Sequence, residues 1–263
     1  AQLAADGTYV VFESSSGLVG GSPPANTIYR ADTRSSDIVA VSTTTGGGTF
    51  ANGASHVPDV SRDGRYIVFT SAATNLAGGS TGTTQDVFTK DLQTGETVRV
   101  STSTTSGDAN ADCATPRISA DGQDIVFSSA ATNLTATSTG GGSSDIYRWH
   151  RGGLLTNLTA GAPGGANTSL NPDIGSDGSY GGYVTFETNK ALVAADTNGQ
   201  TDVYAASLTG STALFTGFYR VSTTKAGSQV GLSSTEPAIS DDGLFVAFRS
   251  FSDALVPGDT DGY

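Results

Sequence analysis

Short runs of apolar residues alternate with polar turns along the whole chain, and the same arrangement recurs at a nearly constant interval. Each repeat contains an Asp-Gly pair followed by an apolar run that ends in phenylalanine. The pairs begin at Asp6, Asp63, Asp121, Asp177 and Asp242, and subtracting successive positions gives spacings of 57, 58, 56 and 65 residues. Asp-Gly between two apolar runs is a strong hairpin signal, because glycine readily adopts the positive φ that tight turns require. The pattern predicts a repeat protein built from β-hairpins.

The second repeat shows these elements most clearly and serves as the template. It predicts strand A at 56–61, strand B at 65–71, strand C at 86–91 and strand D at 97–101. Each segment is short, rich in β-branched or aromatic residues, and bounded by turn residues. The wider spacing in the fourth repeat comes from extra residues between strands C and D. The same register predicts units at about 1–48, 55–105, 113–161, 170–224 and an incomplete 234–263.

Four short antiparallel strands per repeat, without helical periodicity, are typical of a β-propeller blade. One such sheet cannot bury both of its faces, whereas radial stacking buries each face against a neighbouring sheet. We therefore predict an all-β fold: a β-propeller of four-stranded antiparallel blades, with about 4.5 repeats of roughly 58 residues. The phenylalanines that end strand B are predicted to form the core between blades: Phe12, Phe69, Phe127, Phe186 and Phe248.

The residues that define the repeat also resemble a known family. Residues 116–127 read Pro-x-Ile-Ser-x-Asp-Gly-x-x-Ile-Val-Phe, and Asp-Ile-Tyr follows at 145–147. This pattern resembles the TolB-like propeller repeats, also called WD40-like or PD40 repeats, and the resemblance covers essentially the whole chain. It implies the propeller fold but no single activity, because the family includes adaptor and peptide-binding propellers as well as propellers appended to enzymes. Function therefore has to be inferred from the side chains of individual sites, because the fold alone does not indicate it.

Composition and charge limit the classes of binding partner that we expect. The 263 residues carry a formal net charge of −12, and the lysines are Lys90, Lys190 and Lys225 alone. Without a basic patch we expect no nucleic-acid partner, and without an apolar run of about 18 residues we expect no membrane insertion. The Gly-, Ser- and Thr-rich links are typical of exported bacterial proteins, which predicts a secreted, periplasmic or cell-surface location. Cys113 has no internal disulfide partner and is predicted to be a structural thiol.

One repeat position carries a set of charged residues. Asp59, Arg117 and Asp173 share a position of strand A, and His56 precedes Asp59 by three residues. Inner strands of a propeller line its channel, so we predict that these four side chains form a ligand-binding channel mouth. Asp59 with Asp173 is also the one pair that could serve a glycosidase, which needs two carboxylates across a sugar ring. No nucleophile accompanies them, and we assign no catalytic residue.

The loop between strands B and C suggests a metal-binding site. Asp196, Asn198 and Asp202 in the fourth repeat, with Asp259 and Asp261 in the fifth, place carboxylate and amide oxygens around a glycine. Such spacing resembles the oxygen-rich loops that bind Ca²⁺. The competing interpretation is an Asx-type turn, in which the same side chains accept local backbone N–H groups. Calcium is the one cofactor that the sequence suggests.

These observations favour a non-enzymatic, exported propeller that serves as a binding scaffold for a protein or glycan, in a cell-surface or extracellular assembly. The alternatives are a carbohydrate-active enzyme with its site at the channel mouth, and a structural, Ca²⁺-stiffened element of an extracellular polymer. The repeat register leaves the fifth unit without strands C and D. Because an uncovered apolar strand edge promotes pairing with other chains, we expect self-association or the remainder of a longer propeller chain to cover it.

Overall fold

The computed structural model describes residues 1–23, 26–78, 81–138, 143–160, 168–176, 182–209 and 214–259. In this part of the chain all regular structure is β-strand, and there is no helix that could cross a membrane. In chain order the strands are β1 (Gln2–Leu3), β2 (Tyr9–Ser14), β3 (Thr27–Asp32), β4 (Ile38–Ala40), β5 (Ser55–Val60), β6 (Tyr66–Ser71), β7 (Asp86–Asp91), β8 (Thr97–Arg99), β9 (Cys113–Ile118), β10 (Asp124–Ser129), β11 (Asp145–His150), β12 (Leu155–Asn157), β13 (Ser169–Gly175), β14 (Gly182–Thr188), β15 (Asp202–Thr209), β16 (Leu214–Arg220), β17 (Ser234–Ile239) and β18 (Val246–Ser250).

The strands pair with their neighbours in sequence and form antiparallel meanders. Four sheets have four strands each, β1–β4, β5–β8, β9–β12 and β13–β16, and a fifth sheet consists of β17 and β18. We number these sheets one to five in chain order. The extra residues of the fourth repeat lengthen β15 and β16 to eight and seven residues, against six and three for the third and fourth strands of the other complete sheets.

The first strand of each sheet contacts the first strand of the next, from β1 through β5, β9 and β13 to β17. Apolar clusters fill the spaces between the first and second, second and third, and third and fourth sheets. Sheets that stack face to face, with their first strands gathered around one axis, form a β-propeller, so the predicted fold is confirmed. The sheets correspond to blades, and the first strands surround the channel.

Stacked aromatic rings form the centre of each blade. Phe127 of β10 lies opposite Tyr147 of β11, and their ring centroids are 5.5 Å apart. Equivalent pairs, with centroids 6.0 to 6.3 Å apart, occur in the other three complete sheets: Phe12–Tyr29, Phe69–Phe88 and Phe186–Tyr204. Of the five predicted core phenylalanines, the three in the second to fourth sheets are fully buried, whereas Phe12 and Phe248 in the outer sheets are half-buried.

A serine and an aspartate build the Asp-Gly turn between strands A and B in the second, third and fifth sheets. In the second sheet Ser61 Oγ donates to Asp63 Oδ1 at 2.6 Å, and the same carboxylate accepts the Arg65 N–H at 3.0 Å. Ser61 Oγ in turn accepts the N–H of Tyr66 at 3.0 Å. The third and fifth sheets repeat this set of bonds at Ser119 and Ser240.

In the second and third sheets the glycine of the turn also packs against the preceding blade. A Cβ at Gly122 would come closer than 3.0 Å to the ring of Tyr66 in the second sheet, and a Cβ at Gly64 would do the same to Tyr9 in the first. Both glycines have positive φ, +73° and +70°. The Asp-Gly pair therefore serves two purposes: it turns the chain, and it lets a tyrosine of the neighbouring blade lie flat against the backbone.

Candidate ligand-binding channel

The first strands of all five sheets surround one cavity of about 580 Å³. Pairing with the second strand shows that one residue of each first strand holds the same register position. All five residues at this position line the cavity: Gln2, Asp59, Arg117, Asp173 and Ala238. The structure thus brings Asp59, Arg117 and Asp173 together around the channel.

A β-bulge precedes the channel position in the four complete first strands. The bulge residue has a left-handed backbone, with φ of 50° at Val57, 47° at Thr115, 48° at Asn171 and 55° at Glu236. β-branched residues rarely adopt such angles, and strained backbone of this kind concentrates at functional sites. A proline follows each bulge residue. Proline has no N–H to donate to the strand ladder, and a bulge tolerates it because the ladder is already interrupted there. A bulge changes the direction in which the neighbouring side chains point. In this protein the residues beside the bulges line the channel.

Asp59 and Asp173 each connect one blade to the next. Asp59 Oδ2 accepts the main-chain N–H of Ile118 in the third sheet at 2.9 Å. Asp173 Oδ2 accepts the main-chain N–H of Ile239 in the fifth sheet at 2.8 Å. The two carboxylates therefore have the same structural role, and each commits one oxygen to the backbone of its neighbour.

Arg117 supplies a positive charge between these carboxylates. Its Nε lies 3.9 Å from Asp173 Oδ1, and its Nη1 donates to the carbonyl of Pro116 at 3.0 Å. A second ion pair spans the end of the channel near the Asp-Gly turns, where Arg62 Nη2 of the second blade lies 3.4 Å from Asp241 Oδ2 of the fifth. Blades two and five are not neighbours in the chain, so this pair bridges the channel.

The structure places His56 outside the lining of this cavity. Its Nδ1 lies 3.1 Å from Glu13 Oε2 of the first sheet, where the two side chains form a contact between blades. Glu187 in the fourth sheet holds the register position of Glu13, and it also forms a contact between two blades. Its Oε2 accepts the N–H of Glu236 at 2.7 Å, and its Oε1 accepts Asn171 Nδ2 at 3.0 Å. Glu187 was not identified from the sequence, although it shares its register with Glu13.

Burial changes the acidity of the channel carboxylates. It raises the pKa of Asp59 to about 6, against the opposing effect of the hydrogen bond from Ile118. Burial also raises the pKa of Asp173. Nothing in the local sequence indicates such a shift, because it arises from the packing of five strands that are distant in the chain. Asp59 therefore changes its charge near neutral pH.

We expect this shift to make the protein more stable in weak acid. Between its ordinary pKa of 3.8 and about 6, Asp59 binds more protons in the folded state than in the unfolded state. The free energy of unfolding therefore falls as pH rises through this window, by an amount on the order of a few kcal/mol, and levels off above it. Asp86 has a pKa of about 6 for the same reason and adds to the effect.

Urea unfolding of the wild type and of Asp59→Asn between pH 4.5 and 7.5 measures this dependence. The wild type should lose stability as pH rises to about 6, and Asp59→Asn should lose less, because the other aspartates with raised pKa values still contribute. Asparagine can still accept the Ile118 N–H, so the comparison isolates the charge. An unchanged pH dependence in Asp59→Asn would contradict the assignment.

Two predicted calcium ligands already accept protein hydrogen bonds. Asp196 Oδ2 accepts the Tyr204 hydroxyl at 2.5 Å, and its Oδ1 accepts Gln229 Nε2 at 2.8 Å. Asn198 Oδ1 accepts the N–H of Gln200 at 2.9 Å, which is the geometry of an Asx-type turn. Protein groups therefore already donate hydrogen bonds to the Asp196 and Asn198 oxygens that calcium would use.

The other three predicted ligands are Asp202, Asp259 and Asp261. Asp202 Oδ1 accepts Ser222 Oγ at 2.6 Å, and its pKa is raised by burial. The main-chain N–H of Asp259 donates to Val256, whereas Asp261 lies outside the described residues. Within the described ranges no three His, Cys, Asp or Glu side chains form a group that could hold a metal ion. Calcium binding stays a prediction.

The aspartates that precede strand C cap strand D of the same blade. Asp86 Oδ1 accepts Ser101 Oγ at 2.6 Å, and Asp145 Oδ1 accepts Thr159 Oγ1 at 2.9 Å. Asp202 repeats this bond with Ser222, so each of these aspartates stabilises its own blade. Burial raises the pKa of the Cys113 thiol to about 12, which keeps it protonated and unreactive.

Comparison with known proteins gives structural similarities only. No family model matches the chain, and no curated protein matches it. Similar solved structures include a TolB protein from Agrobacterium tumefaciens, with 17% identity and a TM-score of 0.49 over 95% of this chain and 73% of that one. A prolyl endopeptidase has 12% identity and a TM-score of 0.49, over 96% of this chain and 32% of the longer enzyme.

A periplasmic gluconolactonase from Pseudomonas aeruginosa is a further example, with 17% identity and a TM-score of 0.42, over 96% of this chain and 64% of that one. At such low identity these similarities carry no argument about family or activity. The propeller fold rests on the sheet order and on the channel that the five first strands surround.

Proposed function

We propose that this chain is a non-enzymatic, exported β-propeller that binds a protein segment or a glycan at its channel, as a scaffold within a cell-surface or extracellular assembly. The observation that carries the proposal is the arrangement of Asp59, Arg117 and Asp173. Each carboxylate keeps one oxygen on the backbone of the next blade, and the guanidinium lies beside them in a cavity of about 580 Å³. Groups held this rigidly suit recognition.

The charges around the cavity indicate the chemistry of the ligand. Arg117 can donate to a carboxylate or hydroxyl, and the second oxygens of Asp59 and Asp173 can accept from amines or hydroxyls. Polypeptide segments and sugars both carry such mixed sets of donors and acceptors. The Gly-, Ser- and Thr-rich links support an exported protein.

Screening peptide and glycan arrays with the wild type and Arg117→Gln tests the proposal. We expect the wild type to bind a defined set of peptides or glycans, and Arg117→Gln to bind the same set roughly 10- to 100-fold more weakly, as loss of a charge-assisted hydrogen bond predicts. Arg34→Gln is the matched control, because Arg34 lies on the surface away from the cavity. No array ligand, or equal binding by Arg117→Gln and the wild type, would rule out this channel site.

One observation favours a carbohydrate-active enzyme as the second candidate. Asp59 has a pKa of about 6 and shares the cavity with a second carboxyl, Asp173, whose pKa is also raised. Glycosidases need one carboxyl that stays protonated near neutral pH and one that is ionised. Against this candidate, both carboxylates have a hydrogen bond to the neighbouring blade that explains their position without a reaction.

A further inference from the structure

A buried site between the third and fourth blades contains a lysine, an aspartate and an asparagine. Asp145 begins β11 and Asn157 ends β12 in the third blade, whereas Lys190 lies two residues after β14 in the fourth. The exposed fractions of Asp145, Asn157 and Lys190 are 1%, 8% and 4%. Charged groups are seldom buried in this way without a partner, so the chemistry of the site depends on the contacts among these three residues.

The Asp145 carboxylate bridges the other two side chains. Lys190 Nζ donates to its Oδ1 at 2.5 Å, and Asn157 Nδ2 donates to its Oδ2 at 2.9 Å. The Asn157 carbonyl oxygen accepts the main-chain N–H of Thr159 at 3.0 Å. An amine, a carboxylate and a carboxamide therefore form one row of hydrogen bonds, with a backbone donor on the carboxamide oxygen.

Two other complete blades place an arginine where the third blade has its asparagine. The register of strand D gives Arg99 in the second blade and Arg220 in the fourth the position that Asn157 holds in the third. Arg99 Nη1 lies 3.8 Å from Asp86 Oδ2, so there the cation comes from the same blade. The third blade instead takes its cation from the fourth, and that cation is a lysine. A guanidinium stays protonated, whereas a lysine amine is a nucleophile once it has lost a proton.

We propose that Lys190 and Asn157 react with each other to form an intramolecular amide bond, with Asp145 as the catalytic base and acid. Asp145 Oδ1 takes a proton from the Lys190 ammonium, and the neutral amine attacks Asn157 Cγ. The Thr159 N–H stabilises the negative charge that develops on the Asn157 oxygen. Asp145 gives a proton to Asn157 Nδ2 through Oδ2, and this nitrogen leaves as ammonia.

The reaction balances without an oxidant or a reductant. The bond between Asn157 Cγ and Nδ2 breaks, and a bond between Cγ and Lys190 Nζ forms. The attacking nitrogen passes its second proton through Asp145 to the departing ammonia, so Asp145 ends as a carboxylate. One ammonium group and one carboxamide thus become one secondary amide and one ammonium ion.

The surroundings of the site favour the reaction and protect its product. Ile146 and Leu158, which directly follow Asp145 and Asn157, belong to the apolar cluster between the two blades. Exclusion of water strengthens the electrostatic contacts of the site and keeps the new amide from being hydrolysed.

The bond connects strand D of the third blade covalently to the fourth blade. In a chain with a single cysteine, it supplies an internal crosslink that a disulfide cannot. Both blades are complete, and the proposal does not depend on what the channel binds. Chains that have not reacted retain the ion pair between Lys190 and Asp145, so experiments on that ion pair require the unreacted form.

Intact-mass spectrometry of the purified chain tests the proposal. The reaction releases one ammonia, so we expect a mass about 17 Da below that calculated from the sequence. Proteolytic digestion should then release one crosslinked species that contains both Asn157 and Lys190. A wild-type mass equal to the calculated one would overturn the proposal. A loss of about 18 Da, the mass of water, with the crosslink at Asp145 would overturn Asn157 as the reactant.

Lys190→Arg and Asn157→Leu each remove one reactant with little change in size, and circular dichroism shows whether they are folded. Both should have the full calculated mass. Lys225→Arg is the matched control, because Lys225 is exposed, and it should keep the loss. An asparagine that cyclises on its own backbone also loses about 17 Da, but it does so without a lysine. A loss that persists in folded Lys190→Arg would therefore contradict the site.

Asp145→Asn tests the catalytic role separately, because both reactants remain while the base and acid is removed. Bond formation should slow at least about 100-fold, which mass spectrometry measures as the crosslinked fraction at successive times after folding. A crosslinked fraction equal to that of the wild type in folded Asp145→Asn would show that Asp145 is not the catalyst.

Discussion

Replacing Gly122 by alanine is expected to destabilise the protein by roughly 2–5 kcal/mol. Gly122 has φ of +73°, which costs a residue with a side chain about 1–2 kcal/mol. The new methyl group would also come closer than 3.0 Å to Tyr66 Cδ2. Tyr66 is buried, and two guanidinium groups, from Arg65 and Arg151, lie over its ring, so it has little room to move.

Gly7→Ala is the matched control for this effect. Gly7 holds the same place in the first Asp-Gly turn and has the same φ of +73°, but no atom lies within 4 Å of its ideal Cβ. It should therefore show the backbone cost alone, about 1–2 kcal/mol. Urea unfolding of both variants measures the difference, which reports the packing of a blade against its neighbour. Equal destabilisation by Gly122→Ala and Gly7→Ala would show that this packing contributes nothing.

Asp145→Asn is expected to cost about 3–5 kcal/mol, because it leaves a buried ammonium group without its counter-ion. Lys190 Nζ lies 2.5 Å from Asp145 Oδ1, and both side chains are almost fully buried. Lys190 lies two residues after the end of β14 in the fourth blade, whereas Asp145 begins β11 of the third blade, so the pair joins two blades. Asp145 Oδ2 also accepts Asn157 Nδ2 at 2.9 Å, which holds the carboxylate in place.

A double-mutant cycle with Lys190→Met separates the ion pair from the rest of the site. Removing both charges should recover most of the loss, since buried ion pairs are often replaceable by apolar groups. Lys225→Met is the control, because Lys225 is exposed and its loss should change the free energy of unfolding by less than about 0.5 kcal/mol. If the losses in the two single variants simply add in the double variant, the two side chains are not coupled.

The strands of the fold could be predicted from the sequence because their signals are local. Strand C of the second repeat was predicted at 86–91, and β7 spans Asp86–Asp91. The Ser-x-Asp-Gly turns could also be predicted, since serine, aspartate and glycine act within a few residues of one another. The position shared by Asp59, Arg117 and Asp173 followed from the repeat register alone, and the structure places all three around the channel.

The rest of the candidate site depends on contacts between blades. His56 precedes Asp59 by three residues, but the bulge at Val57 and Pro58 lies between them, and His56 lies against Glu13 instead of the channel. The raised pKa of Asp59 likewise requires all five first strands to be in place. A recurring signal was present nonetheless: a proline precedes the channel position in four repeats, and it marks the bulge.

We propose that the channel is a recognition site, and a turnover assay distinguishes this proposal most directly from a reaction site. The measurement is product release from a panel of soluble α- and β-linked polysaccharides by the wild type and by the Asp59→Asn, Asp173→Asn double variant. Asparagine can still accept the N–H groups of Ile118 and Ile239, so the variant should keep the connections between blades while losing both acids. A binding propeller predicts that the wild type releases no more product than the double variant. Turnover of any polysaccharide by the wild type that the folded double variant loses would contradict a non-enzymatic function.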